Sequence, residues 1–147
     1  MSRLILVVAN ETIESDVVHE TVYFVAHNPP GEVIVVAPAL NSRLRHWLSD
    51  EDRAREEAEA RLRRCLDRLE DAGIEARGWV GDADPMQAVA DIMHVFAPDE
   101  IVIATHPRGR SHWLAENLVE RVRARYPRPV LHLVADPLIP QRAMRAA

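Results

Sequence analysis

The chain has 147 residues, 48% of them hydrophobic and 28% charged, with a formal net charge of −5. That length suits one domain with a full core, and the acidic balance speaks against nucleic acid or an anionic membrane as a general partner. The single cysteine, Cys65, excludes an internal disulfide, and no apolar run approaches the roughly 18 residues that a bilayer span needs.

Residues 1–10 lack a signal-peptide cleavage pattern and lead straight into a strand-like segment, so a cytoplasmic location is expected. Residues 4–9 form a short continuous apolar run, the mark of a strand covered on both faces. Asn10, Glu11 and Thr12 interrupt it. Ile13, Val17, Val18, Val22 and Val25 then recur at helical spacing, with Thr12 as the expected N-cap and Glu14 and Asp16 near the positive end of the helix. Asn28-Pro29-Pro30-Gly31 ends that helix, and residues 33–37 read as a second buried strand.

After an irregular stretch, Ser49 opens the longest helix. Asp50, Glu51 and Asp52 fill its first turn, and Ala54, Ala58, Leu62, Leu66 and Leu69 form its apolar stripe. Cys65 falls inside this pattern and reads as a packing residue, the alternative being a reactive thiol. Glu57 with Arg61 and Glu59 with Arg63 have the spacing of surface i,i+4 pairs. Gly73 supplies the stop. Residues 74–80 alternate, with Glu75, Arg77 and Trp79 on one side, which predicts a strand near a sheet edge.

Asp84-Pro85-Met86-Gln87 is a helix start: Asp as N-cap, Pro at the first helical position, Gln three residues after the cap. Met86, Val89, Ala90, Met93 and Phe96 are the expected buried face, and Pro98 the stop. Residues 100–105 read as a fourth strand. Ser111 is expected to cap a helix with Leu114, Leu118, Val122 and Tyr126 on one face, and residues 130–135 as the fifth strand. Residues 1–136 thus form one α/β domain and residues 137–147 a C-terminal tail. Strands alternating with helices of this length imply right-handed crossovers and a parallel sheet layered between helices.

Gly81-Asp82-Ala83-Asp84-Pro85 before a helix, the run from Asp99 to Arg110 (DEIVIATHPRGR), then Val119-Glu120-Arg121-Val122 and Arg128-Pro129-Val130-Leu131, together resemble the second half of a universal stress protein. The likeness in element order and length extends over residues 4–135. It implies a Rossmann-like, adenine nucleotide alpha hydrolase-like α/β fold: a five-stranded parallel sheet in the order 3-2-1-4-5, with four helices on both faces. It also implies a stress-response role and a homodimer through the last strand, here Val130, Leu131, His132, Leu133 and Val134.

ATP-binding members of that family carry an Asp after the first strand and, after the fourth, a motif of Gly, two residues, Gly, nine residues, Gly, then Ser or Thr. The Asp position here holds Asn10, and Ala104 and Pro107 stand at the first two glycine positions. Glu116 and Asn117 stand where Gly-Ser is expected, with one residue deleted between. Thr105, His106 and Arg108 match. Glycines let main-chain N–H groups approach phosphates without a Cβ penalty. Proline removes a donor and fixes φ, and Glu116 brings a carboxylate where phosphate charge would lie.

A doubly wound sheet places its crevice beyond the C-terminal strand ends, where the crossover direction reverses. In the implied strand order that point lies between strands 1 and 4, at Asn10 and Thr105. The candidate ligand-binding residues, for a nucleotide or anion, are Asn10, Ala37, Gly81, Thr105, His106, Arg108, Arg110, Ser111 and Asn117; the bland alternative is a solvated basic loop that pairs with Glu116. His106 and His112 have no Cys or carboxylate at zinc-ligand spacing, so no metal is expected. Asp82 and Asp84 fit turn and cap duty better than paired catalysis, and Trp47 and Trp113 fit either crevice walls or ordinary packing. Neither a nucleophile elbow nor a Walker loop nor the His-x-Gly-His of related nucleotidyltransferases occurs, so no catalytic residue is expected. The expected function is a regulatory or interaction module without ordinary ATP binding and without a cofactor. The alternative is a stress sensor with an adenine nucleotide or another anion between strands 1 and 4.

Overall fold

The computed structural model describes residues 3–27, 30–40, 49–107, 113 and 116–135. Five strands pair in parallel: β1 (Arg3–Val8), β2 (Gly31–Leu40), β3 (Ala76–Asp82), β4 (Glu100–Thr105) and β5 (Val130–Val134). Their spatial order is β3-β2-β1-β4-β5, as the strand and helix alternation and the family resemblance imply. A 3₁₀ turn (Glu11–Glu14) and the helices α1 (Asp16–His27), α2 (Ser49–Asp71), α3 (Pro85–Phe96) and α4 (Leu118–Arg125) connect them.

The continuous apolar runs of β1, β2 and β4 make sense because each is covered on both faces. Alternate side chains divide between two core layers. Ile5, Val7, Val33, Val35 and Val102 pack against Val18, Val22 and Ala26 of α1 and Leu62, Cys65 and Leu69 of α2. Leu6, Val8, Ile34, Val36, Ile101 and Ile103 pack against Ala88, Val89 and Ile92 of α3 and Leu118, Val119 and Val122 of α4. Cys65 is an inert packing residue: burial pushes its thiol pKa up to about 12, so it stays protonated at neutral pH.

Local signals hold where local chemistry sets the chain. The Met86 N–H donates to Asp84 Oδ1 at 3.0 Å, with Pro85 at the first helical position. Gly73 ends α2 at φ +81, where a side chain would be strained. Gly78 serves packing: a Cβ there would lie 2.8 Å from Leu62 Cδ1 and 3.0 Å from the Val35 carbonyl, so its absence lets Leu62 of α2 lie close over β3.

Three expectations are corrected. Thr12 does not cap a helix: residues 11–14 form the 3₁₀ turn, α1 begins only at Asp16, and the Thr12 hydroxyl turns inward. Ala54 is exposed, and Cys65 completes the buried stripe of α2 with Ala58, Leu62 and Leu69. On α3 Val89 is buried and Met86, Met93 and Phe96 pack against the core as expected, Ala88 and Ile92 fill out the buried face, and the helix closes at Ala97 in a left-handed conformation (φ 49) directly ahead of Pro98. A helix continuous from Ser111 through Tyr126 is interrupted by Asn117 at φ 58, and α4 starts at Leu118. Ser111 and Leu114 lie outside the described residues, as do Trp47, His112 and the tail 137–147. Among the described residues no helix is long and apolar enough to cross a membrane.

Candidate functional site

The crossover direction reverses at β1, flanked by β2 on one side and β4 on the other, and a doubly wound sheet forms its crevice at such a point, here the C-terminal ends of β1 and β4. Register puts Val8 beside Ile103 and Thr105 beside Val134. Of the candidate residues, Asn10 follows the end of β1 and Thr105 ends β4, with His106 next to it. Ala37 and Gly81 lie near the ends of β2 and β3, where Ala37 pairs with Val80 and Gly81 with Pro38. The Ala37 methyl is fully buried, so only its main chain could meet a ligand. Arg108, Arg110 and Ser111 lie outside the described residues.

The polar groups along this edge are engaged with one another. Thr12 Oγ1 donates to the Ala104 carbonyl at 3.2 Å, tying the turn after β1 to β4. Asn10 uses both ends of its amide: Nδ2 donates to the Pro38 carbonyl at 3.4 Å, and Oδ1 accepts from Arg61 at 2.7 Å. Glu11 faces His106, whose Nε2 lies 3.3 Å from its carboxylate. Thr105 is 1% exposed, and its hydroxyl shares a 2.8 Å hydrogen bond with His132 Nε2 on β5.

Arg61 belongs to a set. Arg61, Arg64 and Arg68 recur at i, i+3 and i+7 on α2 and reach across to Asn10, Glu14 and Asp16 respectively. This arginine comb clamps the segment between β1 and α1. The expected surface pairs do not form: Arg61 serves Asn10 instead of Glu57, and Glu59 bonds Arg55 at 3.1 Å instead of Arg63. Glu14 is held below its ordinary range, chiefly by the Arg64 hydrogen bond. Trp113 packs against the α3/α4 core layer, the ordinary role for such a ring. Among the described residues, no three His, Cys, Asp or Glu side chains converge on a point that could hold a metal.

Asn117 precedes α4 in the left-handed region (φ 58) without a side-chain capping bond, and Glu116 beside it is exposed. Asn is the non-glycine residue that tolerates this conformation best, so the backbone turn that a glycine would favour is present here without one. Sequence reasoning missed Arg61 and Glu11. The i, i+3, i+7 arginine spacing was a readable signal for the first; nothing local marked the second.

Two histidines tie this region to pH. Burial lowers the pKa of His19 from its ordinary 6.5, assisted by Arg68 and opposed by the Ile13 carbonyl, Asp16 and Glu14. His132 shifts the same way, again first through burial and then through Arg123, against Glu120. With the folded pKa depressed, the unfolded chain binds more protons below about 6.5. Stability is therefore complete above that pH and declines as pH falls toward the folded values; Glu14 adds a separate loss at lower pH, below its ordinary 4.5. Urea midpoints at about pH 7.5 and about pH 5.5 should show the decline, and His19→Asn should flatten it. A midpoint that rises on acidification would contradict the assignment.

No family model matches the chain, and no curated protein matches it. Among solved structures it superposes on a universal stress protein from Archaeoglobus fulgidus with a TM-score of 0.65 at 19% identity, covering 92% of this chain and 45% of that one. A universal stress protein family member from Burkholderia pseudomallei gives 0.62 at 18% identity, over 90% of this chain and 96% of that one. The fold is that of the universal stress proteins. A further universal stress protein, solved in complex with cAMP, gives 0.57 at 20% identity, over 92% of this chain and all of that one (100%). The chain thus spans less than half of the Archaeoglobus universal stress protein and nearly the whole of the other two. At these identities the likeness is one of fold.

Proposed function

We propose that this protein is a universal stress protein-type regulatory or interaction module, cytoplasmic and without enzymatic activity, that does not hold ATP in the family's ordinary way. The supporting observation is the Arg61–Asn10 bond of 2.7 Å. Where ATP-binding members carry an Asp, this chain presents a neutral amide engaged at both ends. Pro107 next to the β4 end has no N–H to offer a phosphate, and the Thr105 hydroxyl is turned to His132. Calorimetry with ATP, ADP, AMP and cAMP tests this. ATP at about 1 mM should give neither binding heat nor a rise in Tm; a saturable ATP isotherm would sink the reading.

A second reading, an adenine nucleotide or anion sensor in the same crevice, has a specific observation on its side. The left-handed turn at Asn117 keeps glycine-like backbone geometry ahead of a helix. One structural neighbour is a cAMP complex, and Arg108, Arg110 and Ser111 would supply the anion contacts. Saturable binding of cAMP or AMP without ATP would favour this version. No metal or resident cofactor belongs to either reading.

The homodimer through β5 is part of the proposal. Leu131 and Val134 on this edge strand are 42% and 51% exposed, apolar area that a second copy would cover. Light scattering should report a dimer in the micromolar range, and Val134→Glu should convert it to monomer. A wild-type monomer under those conditions would count against the pairing.

A further inference from the structure

The opposite edge of the sheet has a different chemistry. β3 pairs with β2 alone, and the Val33 N–H donates to the Glu75 carbonyl at 2.9 Å. Main-chain groups alternate sides along a strand, so Arg77, Trp79 and Gly81 bond toward β2 while Ala76, Gly78 and Val80 point their N–H and C=O groups away from the sheet. Among the described residues, none of those three outward residues has a hydrogen-bond partner across this edge. An open strand edge is a template for another strand.

The side chains flanking this edge are cationic and apolar. On the α2 side lies a groove of about 360 Å³, lined by Leu62 and Leu66 with Gly78, Trp79 and Val80 of the strand, and by Arg55, Glu59 and Arg63 at the helix. On the other face Trp79, 43% exposed, stacks on Phe96 with centroids 5.4 Å apart, and the Arg77 guanidinium lies 5.1 Å from the centre of the same ring. Arg55 is bonded to Glu59, but neither Arg63 nor Arg77 has a carboxylate partner among the described residues. The middle of the edge therefore carries three arginines against one carboxylate. Glu75 lies beyond the N-terminal end of β3, and Asp82, which accepts the Asp84 N–H, ends the strand. This is a local positive patch on a chain whose net charge is −5.

We propose that the β3 edge is a docking site for an extended, acidic segment of a partner protein, added to the sheet as a sixth strand. Main-chain bonds to Gly78 and Val80 would supply affinity, and alternate side chains would supply selectivity. A side chain directed to the α2 face meets the Leu62–Leu66 groove and should be apolar; one directed to the other face meets Arg77 and should be acidic. A second copy of this chain is a poor occupant, because pairing β3 with β3 would set Arg63 and Arg77 against their own counterparts. The two edges thus divide the work, with apolar β5 suited to self-association and cationic β3 to a foreign strand. The inference does not depend on what the crevice holds.

The probe is a fluorescein-labelled, acetylated octapeptide of alternating Val and Glu, titrated by anisotropy against the full chain. It should bind saturably below about 1 mM, and roughly tenfold more weakly when Glu is replaced by Lys. N-methylation of alternate peptide amides should abolish binding, since it removes the ladder donors. Arg63→Glu with Arg77→Glu, both exposed and expected to fold as shown by an unchanged Tm, should weaken binding about tenfold or more. Amide exchange at Gly78 and Val80 should slow on binding, with Leu131 to Val134 unaffected. Absence of saturation, equal affinity for the Lys peptide, or protection at β5 instead of β3 would each overturn the proposal.

Discussion

Ile103→Ala should remove about 2–5 kcal/mol of folding stability, the largest loss expected from any single substitution considered for this protein. Ile103 is fully buried on β4, the strand between β1 and β5, and its register partners are Val8 and His132. Its side chain belongs to the core layer beneath α3 and α4. Truncation removes three carbons from a site bounded by paired strands, which cannot collapse to fill the gap. The cost is therefore transfer free energy plus cavity. For a chain of this length a loss of about 3 kcal/mol corresponds to a fall in Tm of roughly 6–12 °C. Urea denaturation with an unchanged m-value is the measurement. A loss under about 1 kcal/mol would mean that this layer is loosely packed, and the account of the sheet as covered on both faces would fail with it.

The second large effect is local. Arg61→Ala should speed amide exchange at Ile13 and Ser15, whose N–H groups donate to the Asn10 and Thr12 carbonyls, by about 10- to 100-fold, the equivalent of roughly 1.5–3 kcal/mol for a hydrogen bond involving a charged group. Arg61 is half-buried and its bond to Asn10 spans the gap between α2 and the end of β1. Its Nε is buried without a partner, which takes back part of the gain. The companion pairs, Arg64 with Glu14 and Arg68 with Asp16, are exposed. Water and salt screen them, so Arg64→Ala and Arg68→Ala should move exchange much less. The contrast among three arginines on one helix separates a positional clamp from a general loss of positive charge. Equal effects from all three would refute the clamp.

If Arg61→Ala also allowed ATP to bind, the Arg61–Asn10 contact would be an obstruction and Pro107 a lesser one. If ATP still failed to bind, the missing phosphate-loop glycines would carry the exclusion. Either outcome refines the proposed function, because both separate the Asn10 side of the site from the Pro107 side.

Much of this architecture was legible in the linear chain because its causes are local or periodic. Continuous apolar runs marked β1, β2 and β4 as strands covered on both faces, and alternation around Arg77 and Trp79 put β3 at an edge. Asp84 and Pro85 marked the start of α3, and Gly73 the end of α2. The departures at Asn10, Ala104, Pro107 and Glu116 from a nucleotide-binding pattern needed only residue identities.

The tertiary structure decided which polar group meets which. Thr12 has the chemistry of an N-cap, but the Ala104 carbonyl, 92 residues away, claims its hydroxyl. Arg61 has Glu57 one turn away on its own helix, yet it bonds Asn10, 51 residues distant. Surface i,i+4 pairs are worth only tenths of a kcal/mol, so a half-buried partner supplied by a crossover outcompetes them. Asn117 adopts a left-handed backbone directly ahead of α4, whose Leu118, Val119 and Val122 pack on the sheet, and no local pattern in the sequence marked that turn. Propensity and period act within a few residues and write the order of elements directly into the chain. Contacts at the crevice join segments brought together by the crossovers of the parallel sheet, and only the folded geometry ranks the competing partners.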